Sequence, residues 1–356
     1  MQVIGAVLVV LSVSVATIST AFAAGITGQF GGVAHAADDV MVKARQYDNE
    51  KNCSTDTSKI PNPVEYLTYF NCGNISVDDN GTVTRHFTLI AEEGKKIAVS
   101  DQNNFEAWTF NGTIPGPTMR VTEGDRVQIT LINSNESEHP HSLHMHSIHP
   151  AGMDGVDHPI MPGQNFTYDF IARPFGVFPY HCHVEPIETH INRGLYGMLI
   201  IDPKEPRPHA NEMVMLMNGY DLNQTDEGKM FMLPKAGEVK ADNPERSNDI
   251  YTVNGKAFVY ADNPINIKVN QPVRIYLVNM LEFDLVNSFH LHGNVFQYYP
   301  SGTNMTAEQT NDIVTLSQGD RGIIEFKPQY TGKYMFHAHQ TEFTELGWMG
   351  YFNVTK

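Results

Sequence analysis

Charge is scarce in this 356-residue chain. Asp, Glu, Lys and Arg make up 18% of it, the net charge is −16, and no run of Lys or Arg occurs anywhere. Phosphate binding needs a basic footprint, so the composition speaks against a nucleic-acid partner. Cysteine is scarcer still: three residues and no Cys-x2-Cys pair leave no framework for a thiolate-rich structural zinc. Long apolar runs are nearly absent too. The exception is VIGAVLVVLSVSVATISTAF at 3–22, followed by the small-residue patterns Ala21-Phe22-Ala23 and Ala34-His35-Ala36. The first Lys or Arg is Lys43, so the positive start of an ordinary export signal is missing. The run reads as such a signal or, given its length, as an uncleaved N-terminal anchor. Either reading puts the rest of the chain outside the cytoplasm. There Cys53 and Cys72 can keep a disulfide across a short polar segment, and N-x-S/T sequons such as Asn74, Asn80 and Asn223 fit the same placement. Cys182 is then left over, and an unpaired cysteine in an exported protein calls for a reason.

Missing as well, from Val83 onward, is any long segment with a 3.6-residue apolar period. Short alternating runs broken by Gly, Pro and Asn take its place. In RVQITLIN, Val127, Ile129 and Leu131 alternate with polar neighbours as in a half-buried strand. This pattern predicts an all-β protein of sandwich or barrel type. It also repeats: TFNGTIPGPTMRVTEGDRVQITLIN at 109–133 is echoed by TVNGKAFVYADNPINIKVNQPVRIYLVN at 252–279. Each copy leads to a His-x-His pair (144/146 and 290/292) and then to a Phe-x10-His step, Phe170 to His181 and Phe326 to His337. A glycine stands five residues before each of these last histidines. Two copies of one β-sandwich are therefore expected, over 83–203 and 204–356, joined by PKEPRPHAN at 203–211. Behind them lie a 1–42 leader and an irregular extension over 43–82. MVMLM at 213–217 alternates Met213, Met215 and Met217 with Val and Leu, and reads as a buried strand rather than a methionine surface.

Histidine, in contrast, supplies 16 residues. At that abundance chance gives roughly 0.7 His-x-His pairs. The chain has five, and four occupy equivalent places in the two repeats: His144/His146, His181/His183, His290/His292 and His337/His339. Residues i and i+2 of a strand share a face, so each pair presents two imidazoles in one direction. One such pair is usually a polar face; four in register form a ligand pattern. Eight imidazoles are too many for one tetrahedral zinc and suit copper, while a thiolate with two imidazoles makes a blue-copper electron-transfer site. Cys182 lies between His181 and His183 and so faces away from both. His141 precedes the first pair by three residues, and His190 follows the cysteine by eight.

HSLHMH, YHCHVEPIETHINRGLYGMLI, FHLHG and FHAHQTEFTELG resemble the copper-binding segments of two-domain multicopper oxidases, kin to laccases and copper nitrite reductases. The resemblance covers about residues 83–356 and implies two tandem cupredoxin-like Greek-key β-sandwich domains. It implies about four coppers per chain: type 1 on His141, Cys182 and His190, type 2 on His144 and His290, and a type 3 pair on His146, His181, His183, His292, His337 and His339. The second repeat has Asn287, Ala338 and Phe343 where the first has His141, Cys182 and His190, so one type 1 copper is expected, in the first domain. Family spacing puts Leu195 at the axial position. Met198 is near but on the opposite strand face, and Leu195 is expected to line the site without bonding. Asp154 resembles the family's acidic proton-relay residue, and Glu342 near His339 is a second candidate; an ordinary turn or surface carboxylate is the alternative for both.

The implied activity is an oxidase that takes single electrons from a reducing substrate and reduces dioxygen to water. Its clusters would form between the subunits of a homotrimer, domain 1 of one chain meeting domain 2 of the next. Nitrite reduction is the alternative, although that enzyme carries an aspartate in place of His144 and a non-ligand in place of His183. A copper-binding protein without turnover is the third reading. The electron donor stays open among phenols, metal ions and small nitrogen compounds.

Overall fold

A computed structural model describes residues 37–51, 53–54, 61–223 and 247–356. The apolar run at 3–22 lies outside them, and among the described residues no helix is long and apolar enough to cross a membrane. The first half holds β1 (Asn74–Val77), β2 (Val83–Ala98), β3 (Asn104–Phe110), β4 (Met119–Thr122), β5 (Arg126–Asn133), β6 (His144–Met145), β7 (Asn165–Ile171), β8 (Gly176–His181) and β9 (Tyr196–Asp202). The second holds β10 (Asn211–Tyr220), β11 (Ile250–Val253), β12 (Asn263–Lys268), β13 (Val273–Asn279), β14 (Val286–Leu291), β15 (Phe296–Pro300), β16 (Gln309–Asn311), β17 (Ile313–Ser317), β18 (Arg321–Phe326), β19 (Gly332–His337) and β20 (Met349–Thr355). Helices are short: α1 over 37–50, α2 (Pro63–Tyr66), α3 (Ile187–Asn192), α4 (Val259–Asp262) and α5 (Thr341–Glu345).

Each half is a two-sheet sandwich. In the first, β1-β2-β5-β7, with β3 on β2, faces β4-β9-β8-β6; in the second, β11-β10-β13-β18-β15-β16 faces β12-β20-β19-β14-β17. The sequence repeat is a repeat of pairing. Parallel β2/β5 and β4/β9 recur as parallel β10/β13 and β12/β20, and antiparallel β6/β8 recurs as β14/β19. β5 buries every second residue, as its alternation predicts. Gly176 and Gly332, five residues before His181 and His337, both open their strands at φ near 149°, where an L side chain is strained.

β10 is buried on both faces. Met213, Met215 and Met217 enter the core of the second sandwich, while Val214 and Leu216 join a third apolar cluster that also contains Tyr196, Met198 and Ile200 of the first. That shared cluster welds the halves together, and ions run along it. Arg120, fully buried, pairs with Asp202 at 2.6 Å and with Glu212 of the second half at 2.9 Å; Glu212 also takes Arg274 at 2.9 Å. Breaking such a buried pair typically costs about 3–5 kcal/mol.

The extension over 43–82 is more ordered than its sequence suggests. α1 continues to residue 50, Asp48 pairs with buried Arg85 at 2.9 Å, Tyr47 donates to Asp202, and β1 lies antiparallel on β2. Polar anchors hold α1, so no apolar periodicity announces it. Cys53 and Cys72 form the expected disulfide.

Candidate metal centre

Register brings the histidines together. β6 pairs with β8 so that His144 stands opposite His181, and β14 pairs with β19 so that His290 stands opposite His337. Ring centroids across these pairs lie 5.2 and 5.3 Å apart. Within the pairs, His144 and His146 are 5.1 Å apart and His290 and His292 are 5.0 Å apart. β8 and β19 end at His181 and His337, so His183 and His339 sit two residues past the strands. Their backbone N–H groups are held by matched serines: His183 donates to Ser142 Oγ (3.2 Å) and His339 to Ser288 Oγ (2.7 Å). The shared offset of Ser142 in HSLH and Ser288 in NSFH was the available sequence signal.

Ring nitrogens are assigned by what they face. His144 Nδ1 lies 2.9 Å from the Asp154 carbonyl, His181 Nδ1 2.8 Å from that of Cys182, and His290 Nδ1 2.8 Å from that of Asp312. His337 Nδ1 lies 2.5 Å from the Ala338 carbonyl. A carbonyl only accepts, so each of these Nδ1 atoms carries the proton and each Nε2 is left as a lone pair. The Nε2 atoms of His146 and His181 are 3.1 Å apart, and those of His292 and His337 are 3.0 Å apart. Nitrogens at that separation suit two ligands of one ion at the usual ~2 Å metal–nitrogen distance.

Burial, with neighbouring imidazoles, pushes His146 down to about 3, and burial pushes His181 down to about 4. Burial also lowers His292 and His337. Neutral imidazole is the form that binds metal.

Behind this layer Cys182 faces the interior. His141 Nδ1, His190 Nδ1 and Cys182 Sγ form a buried triangle with edges of 3.3 Å between the nitrogens, 3.1 Å from His190 to sulfur and 3.9 Å from His141 to sulfur. That is the donor set of a trigonal His2Cys copper site. Burial lowers His190 to about 3 and raises the thiol to about 11, so a metal entering here must displace the thiol proton. Leu195 shares the core cluster of Cys182, and its carbonyl accepts the Cys182 N–H at 3.0 Å. Met198 lies in the cluster between the halves, on the other side of the strand.

The remaining candidates separate. The Asp154 carboxylate is 3.1 Å from His144 Nδ1, with His149 at 3.6 Å, and the three make a compact polar group. Glu342 is exposed at the start of α5 and belongs to none of the compact ligand groups. Three neighbours escaped the sequence reading. Glu93 lies 2.8 Å from His141 Nε2, and Trp108 packs its ring 5.5 Å from His141 and 4.8 Å from His190. Asp312 mirrors Asp154 at the carbonyl of the second half. Glu93 and Trp108 lie more than thirty residues upstream of the histidines they touch, so no local motif marks them.

Comparisons with known proteins point to one family. Two sequence-family profiles, each described as multicopper oxidase, match residues 92–206 and 231–356. A solved multicopper oxidase is similar at 43% identity and a TM-score of 0.75, covering 83% of this chain and 97% of that one. A copper nitrite reductase from Nitrosomonas europaea is similar at 29% identity and a TM-score of 0.68, over 77% of this chain and 94% of that one. The copper-containing nitrite reductase of Neisseria meningitidis serogroup B is 30% identical over 69% of this chain, and the match spans 62% of its length. The chain therefore belongs to the multicopper oxidase family and is built of two cupredoxin-like domains.

Proposed function

We propose that the chain is an oxidase with a type 1 copper held by His141, Cys182 and His190 and a trinuclear cluster built on its eight remaining paired histidines. One observation carries the reading: Cys182 joins the buried triangle while its chain neighbours His181 and His183 turn to the histidine layer, so one tripeptide touches both groups. Copper held by these residues would supply one-electron redox chemistry, the kind that four-electron reduction of dioxygen to water requires.

The chain's own residues provide the rest. The Cys182 thiolate and the adjoining peptide form the shortest covalent link between the two groups. The carbonyls of Asp154, Cys182, Asp312 and Ala338 hold the rings with Nε2 forward. The Asp154 carboxylate, 3.1 Å from His144 Nδ1, is placed to hold and pass protons at the histidine layer. Leu195 offers no donor, which raises the type 1 potential.

Each half contributes part of the cluster. Among the described residues no compact group of ligand atoms draws on both halves, and His292 and His339 are exposed. Exposed apolar residues flank β14, with Leu285 at 81% and Val295 at 63% of full exposure. A neighbouring chain's first half covers this face, and heterologous contacts of that kind close into a ring, here of three. Export of the chain agrees with the Cys53–Cys72 disulfide.

Nitrite reduction is the second reading, favoured by the names of several relatives. Against it, the rings of His144 and His183, both departures from the nitrite-reductase pattern, lie 5.1 Å apart within the layer. Copper analysis with acceptor assays separates the two. The oxidase reading expects about four coppers per chain and dioxygen uptake with a phenolic or metal-ion donor; about two coppers with nitrite turnover would overturn it.

A further inference from the structure

Strand β2 is interrupted where it passes the type 1 triangle. Glu92 pairs with Thr109 and Lys95 with Ala107, so Glu93 and Gly94 together oppose the single residue Trp108. This is a β-bulge, with Gly94 at φ 66°. A bulge gives up ladder bonds and re-aims a side chain, and Trp108 N–H donates instead to the Arg193 carbonyl at 2.9 Å. The redirected side chain is Glu93, whose carboxylate is nearly enclosed at 10% exposure.

Its two oxygens meet four donors. Oε1 lies 2.8 Å from His141 Nε2 and 3.0 Å from the His139 backbone N–H; Oε2 lies 3.1 Å from the Glu138 N–H and 3.1 Å from His139 Nδ1. An ionised carboxylate only accepts, so His141 must carry its proton on Nε2 and keep its Nδ1 lone pair free. Nδ1 is the atom that faces Cys182 and His190. Glu93 also ties down the 138–139 backbone that leads into His141, and His139 in turn packs at a tilt against Trp108 at 4.7 Å.

Resting on the type 1 reading above, we propose that Glu93 is a positioning residue of that site: it fixes the tautomer and orientation of His141 and, by accepting the ring's outer N–H with a negative charge, lowers the copper reduction potential. A charged acceptor on a ligand imidazole makes the ring a stronger donor and favours the oxidised ion. Glu93 thus acts against Leu195, whose lack of a donor atom raises the potential. A carboxylate that merely packed the loop would leave the potential unchanged.

The test uses the full chain in two states. In the copper-free protein, nitrogen-15 NMR of the imidazoles is expected to find His141 protonated at Nε2. A wild-type His141 protonated at Nδ1 overturns the proposal without any variant. In the copper-loaded protein, Glu93→Gln keeps an acceptor oxygen and the side-chain shape but removes the charge. The blue absorption and copper content are expected to persist, while the Cu(I)/Cu(II) ratio at fixed ambient potential rises roughly tenfold, about 59 mV for a one-electron couple. An unchanged midpoint in a variant with an intact blue band overturns the assignment. If loaded wild-type protein shows no blue band, the type 1 reading itself falls and the potential claim with it, whereas the copper-free tautomer still reports on the contact.

Discussion

Behind the two histidine layers the same backbone does different things. In the first half Cys182 N–H donates to the Leu195 carbonyl at 3.0 Å, and Leu195 N–H to that of His190 at 3.1 Å; in the second, Ala338 donates to Trp348 at 3.3 Å, and Trp348 to Phe343 at 2.8 Å. The frame is conserved down to individual hydrogen bonds. What fills it is not. Where the first half gathers two imidazoles and a thiol, the second packs Trp348 against Phe289 and Phe336 and stacks Phe343 on Tyr251 at 4.0 Å. Asn287, in the place of His141, turns to Asn279 at 3.3 Å. The second half has filled its interior site with aromatic volume while keeping the histidine layer outside it. The interior position can hold a polar triangle in one half and aromatic packing in the other without disturbing the histidine layer, because the two lie on opposite faces of the same strands.

Exposure separates the halves as well. His146 and His183 are half-buried, and a Cβ built on Gly319 of the second half would lie 3.7 Å from His146. The corresponding His292 and His339 face solvent. The first layer leans on its own chain; the second stands more open.

The comparison is sharpest at the thiol. Cys182→Ser is expected to abolish oxidase turnover and the blue band and to leave about three of about four coppers, while Ala338→Ser at the matching position changes neither. Retention of the blue band in Cys182→Ser would move the type 1 site elsewhere. Next comes complementation. A His144→Ala/His146→Ala chain and a His290→Ala/His292→Ala chain are each expected to be inactive, and co-refolding them should restore dioxygen uptake at interfaces that pair two intact halves. No recovery, or active copper-loaded protein running as a monomer, contradicts clusters shared between chains.

Trp348→Ala should cost about 3–5 kcal/mol in denaturant unfolding, since it empties a fully buried site, yet leave the type 1 absorption intact. A loss under 1 kcal/mol, by the same scale, would mean the second half is not packed around this ring. The smallest contrast is between aspartates. Both Asp154 and Asp312 orient a histidine through the backbone carbonyl, but only the Asp154 carboxylate reaches its ring, at 3.1 Å against 3.9 Å for Asp312. Asp154→Asn is expected to slow dioxygen turnover about 10- to 100-fold at full copper content, and Asp312→Asn much less. Equal rates in the two variants would remove the relay role.

Periodicity and spacing carried the fold class, the duplication and the register of the histidine pairs, because strand alternation and turn residues are local properties of the chain. They also carried the asymmetry between the repeats: Asn287, Ala338 and Phe343 can be read off by offset alone. The opposite facing of Leu195 and Met198 followed from the two-residue period of a strand. Position in three dimensions decided the rest. α1 and Lys51 just after it are pinned through Asp48, Tyr47 and Lys51 to partners 37 to 161 residues away, and such polar contacts leave no pattern along the sequence. Glu93 became a neighbour of His141 only because a bulge turned it out of the ladder, across a separation of 48 residues. The sequence by itself determined which atoms could bind metal, since side-chain chemistry and two-residue alternation suffice for that. The tertiary structure decided which nitrogen is free on His141, His144, His181, His290 and His337, because that depends on carbonyls and a carboxylate brought in by the fold.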